Sequence, residues 1–242
     1  MHAQILRLGK KIIKRLLGME GADERVKTIY EEKEYLEAYS QHTDLRIEAD
    51  PQSAIGGMWE EIGQLQFEFL TDKGLQPHHK MLDIGCGTLR GGRHFINYLN
   101  TGKYYGIDIS SKAIAYAKQL VQQEGLSEKS PCLLVSKNKD LKFMEFSGET
   151  FDYILAQSVF THLKIEHIKE CFENIGHIMH KKSVFYFTYR NGEEYGQTGL
   201  KDFCYPFSFF KSLAEQYRFK LHDCSKKYNH PRGQRMVELM RQ

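Results

Sequence analysis

Apolar positions recur along this chain with two different periods, and the changes of period divide it. Residues 4–18, QILRLGKKIIKRLLG, place Ile5, Leu8, Ile12 and Leu16 on one helical face, widened by Leu6, Ile13 and Leu17. Arg7, Lys10, Lys11, Lys14 and Arg15 fill much of the remainder. Such a basic amphipathic helix either docks on its own domain or a partner subunit, or lies on an anionic membrane surface. Docking is favoured, because one short helix gives only marginal membrane affinity. Residues 20–50 are highly charged and read as helix and linker, closed by Pro51. A second amphipathic segment, 53–71, carries Ile55, Met58, Trp59, Ile62, Leu65, Phe67, Phe69 and Leu70 ahead of Gly74 and Pro77.

From there short apolar runs alternate with helical periods. Strands are predicted at 79–84, 103–108, 131–135, 151–156 and 183–189, and helices at 89–100, 111–124, 162–180 and 206–216. Ser110 or Ser111 can cap the second helix, whose face holds Ile114, Ala117, Leu120 and Val121. This alternation implies parallel strands, right-handed crossovers and helices on both faces. The final apolar runs, 218–223 and 234–240, are joined by a helix-free polar loop containing Asn229, Pro231 and Gly233. A connection of that kind suits an antiparallel pair. The expected fold is therefore α/β: a doubly wound, mostly parallel seven-stranded sheet with an antiparallel last strand. An N-terminal helical extension, residues 1–50, precedes a domain spanning 51–242.

Composition narrows the field modestly. An apolar share of 41% and an aromatic share of 12% support a sizeable core and exclude a disordered chain. A net charge of +3 is too small to indicate nucleic acid. The five cysteines include no CxxC pair, so neither a metal framework nor a disulfide scaffold is expected, and a reducing cytoplasm is the simpler setting. No apolar run reaches the roughly 18 residues of a membrane span. The N-terminus lacks the cleavage site of a signal peptide.

The chemistry concentrates in His79-Lys80-Met81-Leu82-Asp83-Ile84-Gly85-Cys86-Gly87 and in Tyr104-Tyr105-Gly106-Ile107-Asp108. A buried strand ends at Asp83, two glycines permit a tight turn, and a second strand ends in another carboxylate. A glycine turn for close backbone approach, followed by an acid for ribose hydroxyls, is the grammar of a nucleoside site. The plain alternative is a strand–turn–helix whose acids merely cap strand ends.

The run LDIGCG, the acid at Asp108 and FDYILAQSVFTHL at 151–163 resemble class I methyltransferases that use S-adenosylmethionine. The resemblance covers about residues 75–242. Nicotinamide-binding domains share the early grammar, but their fingerprint is GxGxxG; here Arg90 follows, and Gly91 and Gly92 come late. The resemblance implies that S-adenosylmethionine is the cofactor. Asp83 is expected near its methionine ammonium, Gly85 and Gly87 beside its amino-acid and ribose portions, Asp108 on the ribose diol and Ile109 against the adenine. On the third strand the family's usual Gly-Asp-Ala is replaced by Ser136-Lys137-Asn138. Asn138 is the first candidate for the adenine amino group and Asp140 the second. Gln157, ending the fourth strand, is expected to face the cofactor.

For the acceptor side, His162 is the candidate general base, with a backbone-bonded histidine at a helix start as the competing reading. Tyr189, Arg190, Tyr195 and Tyr205, around the loop after the fifth strand, are candidate acceptor contacts, since ligands in such sheets bind beyond the strand carboxyl ends. Trp59 and Glu60 are candidates for a helical lid, or simply for core. The expected activity is methyl transfer to a small molecule or metabolite, glycan- or lipid-linked acceptors among them. Oxygen is favoured over nitrogen, and no metal is required. The alternatives are an RNA or protein methyltransferase and a non-catalytic cofactor-binding module. Against nucleic acid, the fourth strand ends AQSVF rather than in an Asn-Pro-Pro-Tyr signature. A cytoplasmic protein is expected, with residues 4–18 as candidate contact to the inner membrane face.

Overall fold

The computed structural model of the chain describes residues 19–242, so the basic helix expected at 4–18 lies outside the described residues. The chain divides into two units, Met1–His42 and Thr43–Gln242. The first contains helix α1, Met19–Glu32, and the first half of α2, Tyr35–Ala49. Within it the Tyr30 hydroxyl lies 3.3 Å from His42 Nδ1, and Tyr35 stacks on Tyr39.

The second unit opens with the end of α2 and a single turn, α3, Pro51–Ala54. Asp50 caps that turn by accepting the Gln52 and Ser53 N–H groups. The amphipathic segment expected over 53–71 is not continuous: the backbone turns at Gly56 and Gly57, and helix α4 covers Trp59–Asp72. Next come β1 Met81–Ile84, α5 Gly92–Tyr98, β2 Tyr104–Asp108, α6 Ser111–Gln123, β3 Cys132–Val135 and β4 Phe151–Ala156. They are followed by α7 Ile165–Asn174, β5 Met179–Tyr189 and a short hairpin, β6 Gly196–Gln197 with β7 Phe203–Cys204. Helix α8 Phe207–Gln216 and strands β8 Phe219–Asp223 and β9 Arg235–Arg241 complete the chain.

Seven strands form one sheet in the order β3-β2-β1-β4-β5-β9-β8. Pairs β1–β2, β2–β3, β1–β4 and β4–β5 are parallel, whereas β9 runs antiparallel to both β5 and β8. The short connection before β9, which holds a 3-10 turn at Ser225–Lys227 but no α-helix, has this consequence, since a parallel return needs a long crossover. The strand order reverses at β1, where Asp83 pairs with Gly106 on one side and Leu155 on the other. Ligands in open α/β sheets settle at such a switch point, beyond the strand carboxyl ends.

The largest boundary shifts fall around β5. Strand β5 begins at Met179 rather than 183, and α7 is correspondingly shorter than 162–180. The pairing with β4 slips between Phe151 and Tyr153, and the Ser183 hydroxyl donates to the Phe151 carbonyl within that irregularity. The polar run His180-Lys181-Lys182 hides this strand start from a reading by apolar period.

Tyr104, Ile114, Ala117, Phe69 and Tyr186 belong to one buried cluster. Phe160, Phe172, Phe185, Phe187 and Phe210 form another, with ring centroids 4.7–6.4 Å apart. Each such ring contributes roughly 1.5–3 kcal/mol by leaving water, which makes the sheet a rigid platform for the loops at its edge. Among the described residues no helix is long and apolar enough to cross a membrane.

Candidate cofactor and acceptor site

The turn after β1 is built from backbone. Gly85 and Gly87 have φ of +68° and +54°, in the left-handed region that side chains resist. A Cβ on Gly85 would stand 2.5 Å from Val159 Cγ2, so the position is closed sterically as well. The turn is pinned to β2: Gly85 N–H donates to the Ile107 carbonyl at 2.8 Å, and Gly87 N–H to Asp108 Oδ2 at 2.9 Å. Asp108 Oδ1 accepts the Ser110 N–H at 2.8 Å, and Ser110 in turn caps α6 by accepting the Ala113 N–H. One carboxylate thus holds the glycine turn and the next helix start in register.

Asp83 is only 4% exposed and accepts the Tyr104 hydroxyl at 2.8 Å. Burial pushes its carboxyl up to about 7; Asp108 adds to that, while the Tyr104 bond and the Arg90 charge oppose it. Burial likewise raises Asp108 to about 6, against the pull of its backbone N–H donors. Two acids sharing a desolvated pocket favour a ligand that brings a cation and hydroxyl donors.

The sequence reading missed two polar groups beside them. Arg90 Nη1 donates to the Ile55 and Gly57 carbonyls at 3.2 and 2.9 Å, tying the turn after α3 to the glycine loop. Its Nε is buried without a partner among the described residues. Ser136, at the end of β3, donates its N–H to the Asp108 carbonyl at 2.9 Å and keeps a buried hydroxyl with no partner. Arg90 stands where a nicotinamide fingerprint has its third glycine, a signal that was legible. Ser136 carried none, because the family pattern drew the eye to an acid or amide.

The remaining candidates are scattered. Ile109 is half-buried directly after Asp108. Asn138 is exposed, two residues beyond Ser136, and Asp140 accepts its neighbour Lys142 N–H at 3.2 Å. The structure does not bring either into contact with the two carboxylates. Gln157 is buried; its Oε1 accepts the Tyr228 hydroxyl at 2.7 Å and its Nε2 donates to Ser158 Oγ at 3.0 Å. Ser158 has φ +60°, and its N–H donates to Thr188 Oγ1 at 2.7 Å. Strain of this kind at a strand end is typical of functional loops.

His162 ends a 3-10 turn, Phe160–His162, just past β4. Its Nδ1 lies 2.9 Å from the Lys201 carbonyl and 3.4 Å from Asp202 Oδ1. Burial, then the Lys201 charge, depress the imidazole to about 4, so it is neutral at pH 7. Tyr189 and Tyr205 are fully buried against Phe210 and serve the core rather than an acceptor. Tyr195 is exposed. Trp59 lies under the Arg93 guanidinium, 5.6 Å from its ring, and Glu60 pairs with Arg93, which fixes this helix end onto the domain. Among the described residues no group of three His, Cys, Asp or Glu side chains is placed to hold a metal.

The fold is that of class I, S-adenosylmethionine-dependent methyltransferases. Residues 82–185 match a family model described as a methyltransferase domain. A geranyl diphosphate 2-C-methyltransferase from Saccharopolyspora erythraea is 34% identical over 67 residues, 26% of this chain; the chain spans 23% of that relative's length. Magnesium protoporphyrin IX methyltransferase from Synechocystis PCC 6803, solved with bound S-adenosylmethionine, superposes with a TM-score of 0.56 at 15% identity, covering 96% of this chain and 97% of that one. The cyclase SpnF superposes with a TM-score of 0.66 at 13% identity, covering 86% and 97%. At such identities the structural likeness is one of fold.

Proposed function

We propose that the chain transfers a methyl group from S-adenosylmethionine to a small-molecule acceptor, with oxygen favoured over nitrogen. The observation that carries this reading is the strand-end carboxylate of Asp108, held against the glycine turn by the Gly87 N–H, the placement in which such an acid meets a nucleoside's ribose. The buried, unpartnered Ser136 hydroxyl and Arg90 Nε fit a polar ligand in the same place. The names of the two methyltransferases above, for geranyl diphosphate and magnesium protoporphyrin IX, support an acceptor of small-molecule size.

S-adenosylmethionine supplies a methyl group already activated on a sulfonium. What the chain supplies is alignment, since holding donor and acceptor in line accounts for much of the acceleration of a displacement. Asp83 accepts the methionine ammonium. Asp108 accepts the ribose diol with the capacity its carboxylate retains. Gly85 and Gly87 let the backbone approach, Ile109 flanks the adenine, and Ser136 with Asn138 meets its polar edge. Gln157, fixed by Tyr228, forms the floor towards the acceptor.

His162 presents a neutral imidazole whose Nδ1–H donates to the Lys201 carbonyl, which leaves Nε2 as the acceptor-type nitrogen. At a pKa of about 4 it orients an acceptor hydroxyl by a hydrogen bond more effectively than it removes a proton. The acceptor is a metabolite, with glycan- or lipid-linked intermediates included in the class. The protein acts in the cytoplasm, and residues 4–18 offer a contact to the inner membrane face.

The test is to incubate the chain with S-adenosylmethionine carrying a labelled methyl group and a metabolite extract, and to follow products by mass spectrometry. A labelled product gaining one methyl group, dependent on the protein, is expected. Cofactor binding with no turnover across extracts would instead favour a non-catalytic module.

A further inference from the structure

We propose that Lys73 and Cys224 form an oxidant-responsive covalent crosslink, a sulfenamide between Nζ and Sγ, with hydrogen peroxide as the oxidant. The proposal stands apart from the methyl-transfer reading and does not depend on it.

All five cysteines are free thiols, and their surroundings differ. Cys86 Sγ lies 4.0 Å from the Gly87 carbonyl, and Cys204 Sγ lies 3.8 and 3.5 Å from the carbonyls of Glu194 and Gly196. Cys224 instead faces an amine: Lys73 Nζ donates to its Sγ at 3.3 Å. The same Nζ donates to Glu238 Oε2 at 3.0 Å, and that oxygen also accepts the Tyr186 hydroxyl at 2.8 Å. A nucleophilic sulfur, an amine and a carboxylate able to take the amine's proton therefore meet at one point.

Both backbones are held. Lys73 caps the C-terminal end of α4, and its carbonyl accepts the Tyr153 hydroxyl at 2.9 Å. Cys224 follows β8, and its N–H donates to the Met236 carbonyl on β9 at 2.9 Å. The ammonium also sits 5.8 Å from the ring centres of Phe69 and Tyr186. Nitrogen and sulfur thus stand within the roughly 3–3.5 Å of a near-attack arrangement. The Lys73 and Glu238 side chains are 23% and 15% exposed, so a molecule as small as peroxide reaches the pair from solvent.

The chemistry balances in two steps. Cys224 Sγ attacks peroxide, the O–O bond breaks, and sulfur becomes a sulfenic acid as one water leaves. Sulfur is oxidised by two electrons and peroxide is reduced. Sulfenic acids condense with nitrogen to sulfenamides. Lys73 Nζ gives one proton to Glu238 and on to solvent, then attacks Sγ. The S–O bond breaks, and hydroxide departs with a second Nζ proton as water. Burial pushes the Cys224 thiol up, against the opposing Lys73 bond and charge. A neutral thiol attacks slowly, so the pair answers sustained oxidant rather than consuming it. The bond joins residues 151 positions apart, and a crosslink across so long a loop constrains the unfolded chain as a disulfide does.

The full chain is treated with excess hydrogen peroxide, its remaining thiols are alkylated, and its digest is read by mass spectrometry. The expected product joins the peptides of Lys73 and Cys224, is lighter than their sum by two hydrogens, and separates on thiol reduction. Lys73→Arg keeps a cation for Glu238 but offers no comparable nucleophile. In that variant a cyclic 1,3-dione that traps sulfenic acids should label Cys224 in place of the crosslink. Cys224→Ser should give neither product. An unmodified Cys224, a trapped or further oxidised Cys224 without crosslink in the unaltered chain, or a crosslink from Cys224 that persists in Lys73→Arg overturns the proposal.

Discussion

The two halves of the carboxyl edge are made of different materials. On the β1–β2 side the site is backbone: a left-handed glycine turn, N–H groups aimed at a carboxylate, and two strand-end acids fixed by pairing register. On the β4–β5 side it is side chains carried by loops: His162 after one strand, Arg190 after the next, Lys201 in a hairpin and Arg232 before the last strand. A common cofactor asks the same of every backbone that binds it, so the first half is stereotyped. The second half answers to one acceptor and is free to vary.

The largest effect should fall on the stereotyped side. Asp108→Ala removes the acceptor for Gly87 N–H and for the proposed ribose contact together. It should cost about 2–3 kcal/mol of cofactor affinity, on the order of a hundredfold in Kd. Calorimetry with S-adenosylhomocysteine checks this, with Asp108→Asn as the milder control that keeps an oxygen for the turn. Affinity within a factor of a few of the unaltered chain would separate Asp108 from the cofactor.

Asp83 provides a test in pH. Its carboxyl is raised from an ordinary value near 3.8 to about 7, so between those values the folded chain without cofactor binds more protons than the unfolded one. Stability therefore falls as pH rises through that window, by at most about 1.4 kcal/mol per unit from this group, and levels off above it. Asp108, raised to about 6, adds in the same direction over a narrower range. Chemical denaturation from pH 4 to 8 should show the decline, and Asp83→Asn should flatten it. A cationic ammonium beside Asp83 favours the ionised form, so cofactor affinity should increase as pH rises towards 7.

The smallest effect belongs to the variable side. His162→Gln should leave cofactor affinity unchanged and lower turnover about tenfold, the worth of one orienting hydrogen bond. Because the imidazole sits at about 4, turnover should show no histidine inflection between pH 6 and 8. An inflection in that range that vanishes in the variant would instead make His162 the proton acceptor.

The same division governs what the sequence could convey. Gly85, Gly87 and Asp108 were legible because positive φ and a strand-end carboxylate leave residue types at fixed spacing. The antiparallel β9 was legible because the connection before it is too short for a crossover α-helix. The start of β5 was obscured by a bulge among polar residues, and the break at Gly56-Gly57 by a continuous apolar face. Tyr189 and Tyr205 read as acceptor contacts because aromatic residues near a loop do not announce which way they pack.

The central claim is that the β1–β2 turn is a methyl-donor pocket, and one titration addresses it directly. The full chain is titrated with S-adenosylmethionine and, separately, with NAD. The account predicts saturable binding of one S-adenosylmethionine per chain and none of NAD; tight NAD binding with no response to S-adenosylmethionine would contradict it.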